Sequence, residues 1–255
     1  MAVKFNAEDF ENDIVLRWLK PLGKSILLLS DALRLQAFRK FDWELFASKC
    51  VWLGPQSLPL VALSAIFIAL TLTLQAVLEM RYLRSQDLSG AVIAVGLLRE
   101  LGPITVSMAW AARVTAHLCA EGRYFGLERS DADYASNFVL PNLLAGYLMS
   151  IPLAAYGLVV GFLSAALFAP TLGVSSSNDF METARLYIRD KDVMTYFVKL
   201  VLINPTLAVL IGSAFGREDE ELQRFASANA VTALFISGFI TNWLFTYAVY
   251  GLGYE

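Results

Sequence analysis

Residues 97–103 read Leu97-Leu98-Arg99-Glu100-Leu101-Gly102-Pro103, and they interrupt a stretch, about 89 to 121, that is otherwise apolar enough to cross a bilayer. An ionised side chain near the centre of a spanning helix costs roughly 3 kcal/mol on insertion scales, so Arg99, Glu100 and Arg113 together approach ~9 kcal/mol. Residues 91 to 118 hold ten Leu, Ile and Val residues, which contribute only about 0.3–0.6 kcal/mol each. Such a segment cannot face lipid alone. Its charges must turn into protein or a wet cavity, and ionisable side chains at that depth are functional candidates by default.

The rest of the chain has the same character. Of 255 residues, 57% are hydrophobic and 17% charged, against about 25% charged in soluble domains. Cys50 to Leu78, Tyr134 to Asn178 and Phe225 to Tyr254 carry no charge over 29, 45 and 30 residues, where about 20 suffice to span the hydrocarbon. The expected fold is an all-α integral membrane protein. Met1 to Asp13 is acidic on balance and lacks the basic and apolar regions of a cleaved signal, so insertion is expected to use the mature helices. The net charge of −3 argues against a nucleic-acid partner.

Working outward, residues 13 to 38 place Val15, Trp18, Leu22, Ile26, Leu29 and Leu33 at three- and four-residue steps among Arg17, Lys20, Lys24 and Arg34. That pattern predicts an amphipathic helix lying in the membrane interface. Five spans follow at about 52–80, 89–121, 137–170, 192–216 and 227–252. The third is long for a straight crossing; tilt, Pro141 and Pro152 could accommodate it, and a two-span hairpin within 134 to 178 is the rival topology. With the N-terminus cytoplasmic, twelve Lys and Arg residues fall on that side and six on the other, the favoured bias. Gly157, Gly161, Ala165 and Ala169 form one small-residue ladder and Ala112, Ala116 and Ala120 another, which predicts close helix contacts within the subunit or at a dimer seam.

Bond-making chemistry is not in view. The chain has no phosphate-cradling glycine loop followed by Lys and no nucleophile elbow. Cys50 and Cys119 lie far apart and have no metal-ligand spacing. The one histidine, His117, is expected as a buried neutral side chain, and Asp131 and Asp133 as solvated loop charge. No catalytic residue, metal or bound cofactor is expected, and uphill work would need another chain or an ion gradient.

The ordered run LLRELGPITVSMAWAARVTAHLCAEG, from Leu97 to Gly122, resembles the signature "LRELGP…AGRVG…AAELG" of the MlaE (YrbE-like) permeases. These are membrane subunits of MCE-associated ABC lipid transporters of bacteria and plastids. Weaker likeness at Leu58 to Gln75, Val139 to Pro141, Asp192 with Lys199, and Ala228 to Thr232 extends it over about residues 40 to 250. The resemblance implies residues 1–50 as a cytoplasmic N-terminus with the interfacial helix and 51–255 as a transmembrane permease domain in a bacterial inner or plastid inner envelope membrane. It implies a homodimer, cytoplasmic ATPase subunits that bind the ATP, an MCE-domain protein on the far side, and a cavity for phospholipid. Arg99, Glu100, Lys199 and Gln75 would lie at its headgroup end. The competing reading is that Arg99 and Glu100 pair with each other or with Lys199 to fix the packing; Arg113 is expected to pair with Glu121 or a carbonyl.

Two stretches depart from the family pattern. The ATPase-coupling region corresponds to Arg123, Tyr124, Phe125, Leu127, Glu128 and Arg129, and from Glu121 to Pro141 it is about seven residues shorter than usual. The glycine-rich loop between the last two spans has become Arg217 to Arg224, which is dominated by charge. A non-transporting anchor for an MCE complex is therefore a second reading. An ion-coupled transporter using Glu100 is a third.

Overall fold

The computed structural model describes residues 14–34, 41–126, 130–217 and 225–252. Among these, every regular element is helical: α1 (Ile14–Ala32), α2 (Trp43–Leu53), α3 (Leu58–Tyr82), α4 (Ser89–Phe125), α5 (Asp131–Leu172), α6 (Ser177–Tyr187), α7 (Asp190–Phe215) and α8 (Ala226–Gly251). Five segments are long and apolar enough to cross a membrane: α2 continuing into α3, then α4, α5, α7 and α8. The third span is a single helix through Pro152, so the hairpin alternative is excluded.

The first span begins earlier than its hydropathy predicts. The Asp42 carboxylate accepts from the Leu45 amide at 2.9 Å and caps α2, and the chain then bends through Gly54 and Pro55–Ser57 before α3 starts. A Cβ at Gly54 would sit 2.9 Å from the Cys50 backbone carbonyl and 2.6 Å from the movable Met149 sulfur of α5, so glycine fits the bend best. Helix α1 lies against α7, and Ser25 donates to the Leu210 carbonyl at 3.3 Å. Its buried stripe is Pro21, Ser25, Leu28 and Ala32, one face round from the expected one. Ile26 and Leu33 point outward, 71% and 60% exposed. Both faces are apolar because one meets the bundle and the other is left for the bilayer.

Much of the exterior is apolar: Phe67, Val159, Leu163 and Ile240 are more than half exposed, while Ser57, Thr73, Thr115, Asn204 and Asn242 are buried. Lipid tails are as apolar as leucine, so helices associate through close packing of small residues and through polar contacts. Gly157, Gly161, Ala165 and Ala169 are all buried, with Gly157 meeting Val61 and Gly161 meeting Ala65 and Ala69 of α3. The second expected ladder is displaced. Ala112, Ala116 and Ala120 lie on a partly exposed face, and the close approach uses Thr115 and Cys119, whose carbonyls would lie 2.8 and 2.7 Å from a Cβ on Gly212 and Gly216 of α7.

Proline shapes the spans from inside. Pro103, Pro141 and Pro205 lack an N–H, so the carbonyls of Arg99, Asn137 and Val201 lose their α-helical donor. The helix widens to π geometry at each place: Leu97–Ser107, Ala135–Val139 and Lys199–Ile203. A further π turn, Tyr247–Gly251, closes α8. Such widened turns are frequent at functional sites.

Candidate functional site

Three of those π turns meet at the end of the bundle opposite α1 and bring the charged residues together. Asp192, on the first turn of α7, is fully buried. Its carboxylate accepts from Arg99 Nε at 2.8 Å, from the Tyr250 hydroxyl at 2.6 Å and from the Arg189 amide at 3.1 Å. The Arg99 guanidinium also lies over the Tyr250 ring, 4.5 Å from its centroid. Arg99 keeps 30% of its side chain exposed. Its Nη groups donate to no carboxylate or carbonyl among the described residues.

Two turns further along α7, Lys199 is fully buried. Its ammonium donates to the Arg99 carbonyl at 2.6 Å and to Thr246 Oγ1 at 2.5 Å, and it lies 3.4 Å from Glu100 Oε2. The first contact completes what Pro103 breaks: the lysine replaces the amide that a proline cannot supply. Glu100 keeps 35% of its side chain exposed. Below this, Asn204 Nδ2 donates to Ser107 at 2.6 Å, and Asn242 Nδ2 donates to Asn204 Oδ1 at 2.9 Å. A polar spine thus runs down the contact of α4, α7 and α8.

Each ion pair is asymmetric. The α7 partner is buried and the α4 partner is half-buried, so Asp192 and Lys199 act as anchors for Arg99 and Glu100, which each stay partly exposed. Breaking a buried pair costs about 3–5 kcal/mol, because one charge is stranded. The pairing of Glu100 with Lys199 was one sequence expectation; Arg99 takes Asp192 instead, since neighbouring helical residues diverge by about 100°. Asp192 and Tyr250 were missed as site residues. Asp192 entered the sequence reading only through its spacing from Lys199, two helical turns, as part of the family likeness. Tyr250 gave none.

The other expected residues are separate. Gln75 is exposed and lines a groove with Leu72, Glu79 and Val92, without Arg99, Glu100 or Lys199 among the lining residues. Toward the α1 end of α4, Arg113 donates to the Gln56 carbonyl at 2.9 Å and to Ser57 at 2.6 Å, so the carbonyl alternative holds. Glu121 pairs with Lys49 of α2 rather than with Arg113. His117 is corrected: it is 39% exposed, stacked on Trp52 at 4.0 Å between centroids, with Glu121 3.5 Å away. Trp52 covers one face of the ring and Lys49 lies 3.4 Å from its Nε2, so it is half-buried rather than enclosed. Arg123, Tyr124 and Phe125 end α4, with Tyr124 83% exposed; Leu127, Glu128 and Arg129 lie outside the described residues. Asp131 is 67% exposed, the solvated loop charge expected, and it also pairs with Arg217.

Comparison with known proteins agrees with this architecture. The chain is 26% identical over 205 residues to a Synechocystis protein named "Probable ABC transporter permease protein slr1045", covering 75% of this chain and 78% of that one. It is 26% identical over 196 residues to "Protein TRIGALACTOSYLDIACYLGLYCEROL 1, chloroplastic" of Arabidopsis thaliana, covering 74% of this chain and 56% of the plant protein. Likeness to the Haemophilus influenzae "Intermembrane phospholipid transport system permease protein MlaE" is 25% over 195 residues, 73% of this chain and 75% of that one. The family model described as "Permease MlaE" matches residues 46–248, which contain α3 to α7, α8 except its last three residues, and Arg99, Glu100, Asp192 and Lys199, but not Tyr250. With five spans, a charged core and that match over most of its length, the chain belongs to the MlaE permease family.

Proposed function

We propose that this protein is the membrane subunit of an ABC transporter and passes phospholipid between the membrane and a periplasmic MCE-domain protein, with ATP hydrolysed by a separate cytoplasmic subunit. The observation that carries the reading is the state of Arg99. Its Nε is tied to a buried carboxylate, its plane rests on an aromatic ring, and its Nη groups are left over at a partly open position. Guanidinium donors held in that way suit the oxygens of a phosphate, which they can grip two at a time. Glu100 sits beside it with a free edge and could accept from a headgroup ammonium or hydroxyl. The apolar faces of α3, α4 and α5 would receive the acyl chains. Gln75 would join this cavity only across a second copy, as the homodimer reading requires.

Membranes carrying the Arg99→Ala protein are expected to assemble the complex at normal levels yet lose lipid trafficking, and purified protein is expected to carry less bound phospholipid. Arg99→Lys should rescue only in part, because an ammonium lacks the fork. Normal trafficking and lipid content in Arg99→Ala would defeat the reading.

A second reading is supported by the connection between α4 and α5. Only residues 126–130 lie between them, which leaves little chain for the independent coupling helix that the family pattern implies. The protein would then anchor an MCE partner without moving lipid. Affinity purification in mild detergent separates the two: co-recovery of an ATPase favours transport, and recovery of an MCE protein alone favours the anchor.

A further inference from the structure

Helix α6 lies across the end of α4, pressed so closely that a Cβ on Gly90 would collide with the Phe180 carbonyl. Phe180 and Ala184 are its buried face. Its other side overhangs α5, and between them is a groove of about 920 Å³ with Leu158, Phe162, Leu163 and Ile188 in its walls and Glu182 and Arg185 also lining it. Leu163 is 57% exposed, so the groove opens sideways from the bundle, on the surface left to the bilayer. It shares no lining residue with the Arg99 cluster.

Glu182 and Arg185 are three residues apart on α6, which puts them one turn apart on the same face, with Cβ atoms ordinarily ~5–6 Å apart. They carry opposite charges, yet among the described residues neither makes an ion pair or hydrogen bond. An apolar trough with one unengaged anion and one unengaged cation in its lining has the layout of a zwitterionic lipid: acyl chain along α5, phosphate on Arg185, ammonium on Glu182. An anionic lipid fits worse, since Glu182 would repel its phosphate and find no ammonium.

We infer that the α5–α6 groove is a lateral binding site for a zwitterionic phospholipid with a primary ammonium headgroup, distinct from the cavity at Arg99. The probe is phosphatidylethanolamine with a photoactivatable acyl chain, added to the full permease in mild detergent and followed by peptide mapping. Label is expected on residues 158–163 and 181–188. Unlabelled phosphatidylethanolamine should displace it, and phosphatidylglycerol at equal concentration should do so several-fold less. Glu182→Gln should abolish that preference, and Arg185→Ala should lower labelling of these peptides about tenfold, the factor that 1.4 kcal/mol carries. Labelling of residues 97–107 should stay as in the wild type, so failure here and failure of the transport cavity are read separately. Both variants alter unpartnered exposed side chains, and an unchanged melting temperature checks that they fold. Equal displacement by phosphatidylglycerol, or undiminished labelling in Arg185→Ala, would overturn the assignment. So would a photoreactive group at Val159 that in native membranes captures a second copy or a partner helix in place of lipid.

Discussion

Asp192 accepts three hydrogen bonds while wholly enclosed, and one of them fixes the Arg99 guanidinium. Asp192→Asn keeps the shape and removes the charge, leaving Arg99 without its counter-ion. The expected loss is about 3–5 kcal/mol, the scale for breaking a buried pair, read as a lower melting temperature in detergent. Adding Arg99→Ala to that variant should recover part of the loss, because the stranded cation is gone; a double variant no more stable than Asp192→Asn would show that the pair carries no weight. Arg99, Glu100 and Lys199 were legible in the sequence because charge in an apolar span has few explanations. Tyr250 was not, since an aromatic residue near a helix end resembles every other membrane-facing tyrosine. His117 was misread for the opposite reason: its neighbours in sequence are small and apolar, but in the fold its ring meets Trp52, Lys49 and Glu121 at a partly open position.

At the scale of the helix, Pro103 and Lys199 form one device. The proline removes the donor for the Arg99 carbonyl, and the lysine of another helix supplies it. Lys199→Met should therefore destabilise the wild type by several kcal/mol, but less in a Pro103→Ala background, where the restored amide can serve that carbonyl. A coupling of at least about 0.5 kcal/mol in this double-mutant cycle is expected; strict additivity would mean the two act independently. The approach of α4 and α7 gives a second test. Gly212→Val would drive a side chain into the Thr115 backbone, 2.8 Å from the first added carbon, and is expected to prevent stable assembly, measured as loss of folded protein in the membrane. Prolines and glycines were visible in the sequence, and span existence followed from apolar length. The π turns were not, because a run that is apolar on every side shows no period from which a wider turn can be read. The displaced alanine ladder has the same origin: several small-residue stripes coexist on α4, and packing chose another.

Across the whole molecule, polarity is turned outside in, with a polar spine at the centre and leucine, phenylalanine and valine on the surface. One end joins α1, α5 and α7 through Lys24, which donates to the Arg217 carbonyl, and through the Arg217–Asp131 pair. On the proposed orientation that end faces the cytoplasm, so a cysteine at Ser130 should react with impermeant reagents only from that side, and one at Ser175 only from the other. The reverse pattern would invert the cavity and move the Arg99 cluster to the cytoplasmic half. The central claim is that Arg99, preset by Asp192 and Tyr250, holds a lipid phosphate. Native mass spectrometry of the permease in an Arg185→Ala background, where the lateral groove is silenced, tests it most directly: bound phospholipid should persist with Arg99 intact and fall about tenfold with Arg99→Ala, whereas equal lipid occupancy in the two proteins would contradict the account.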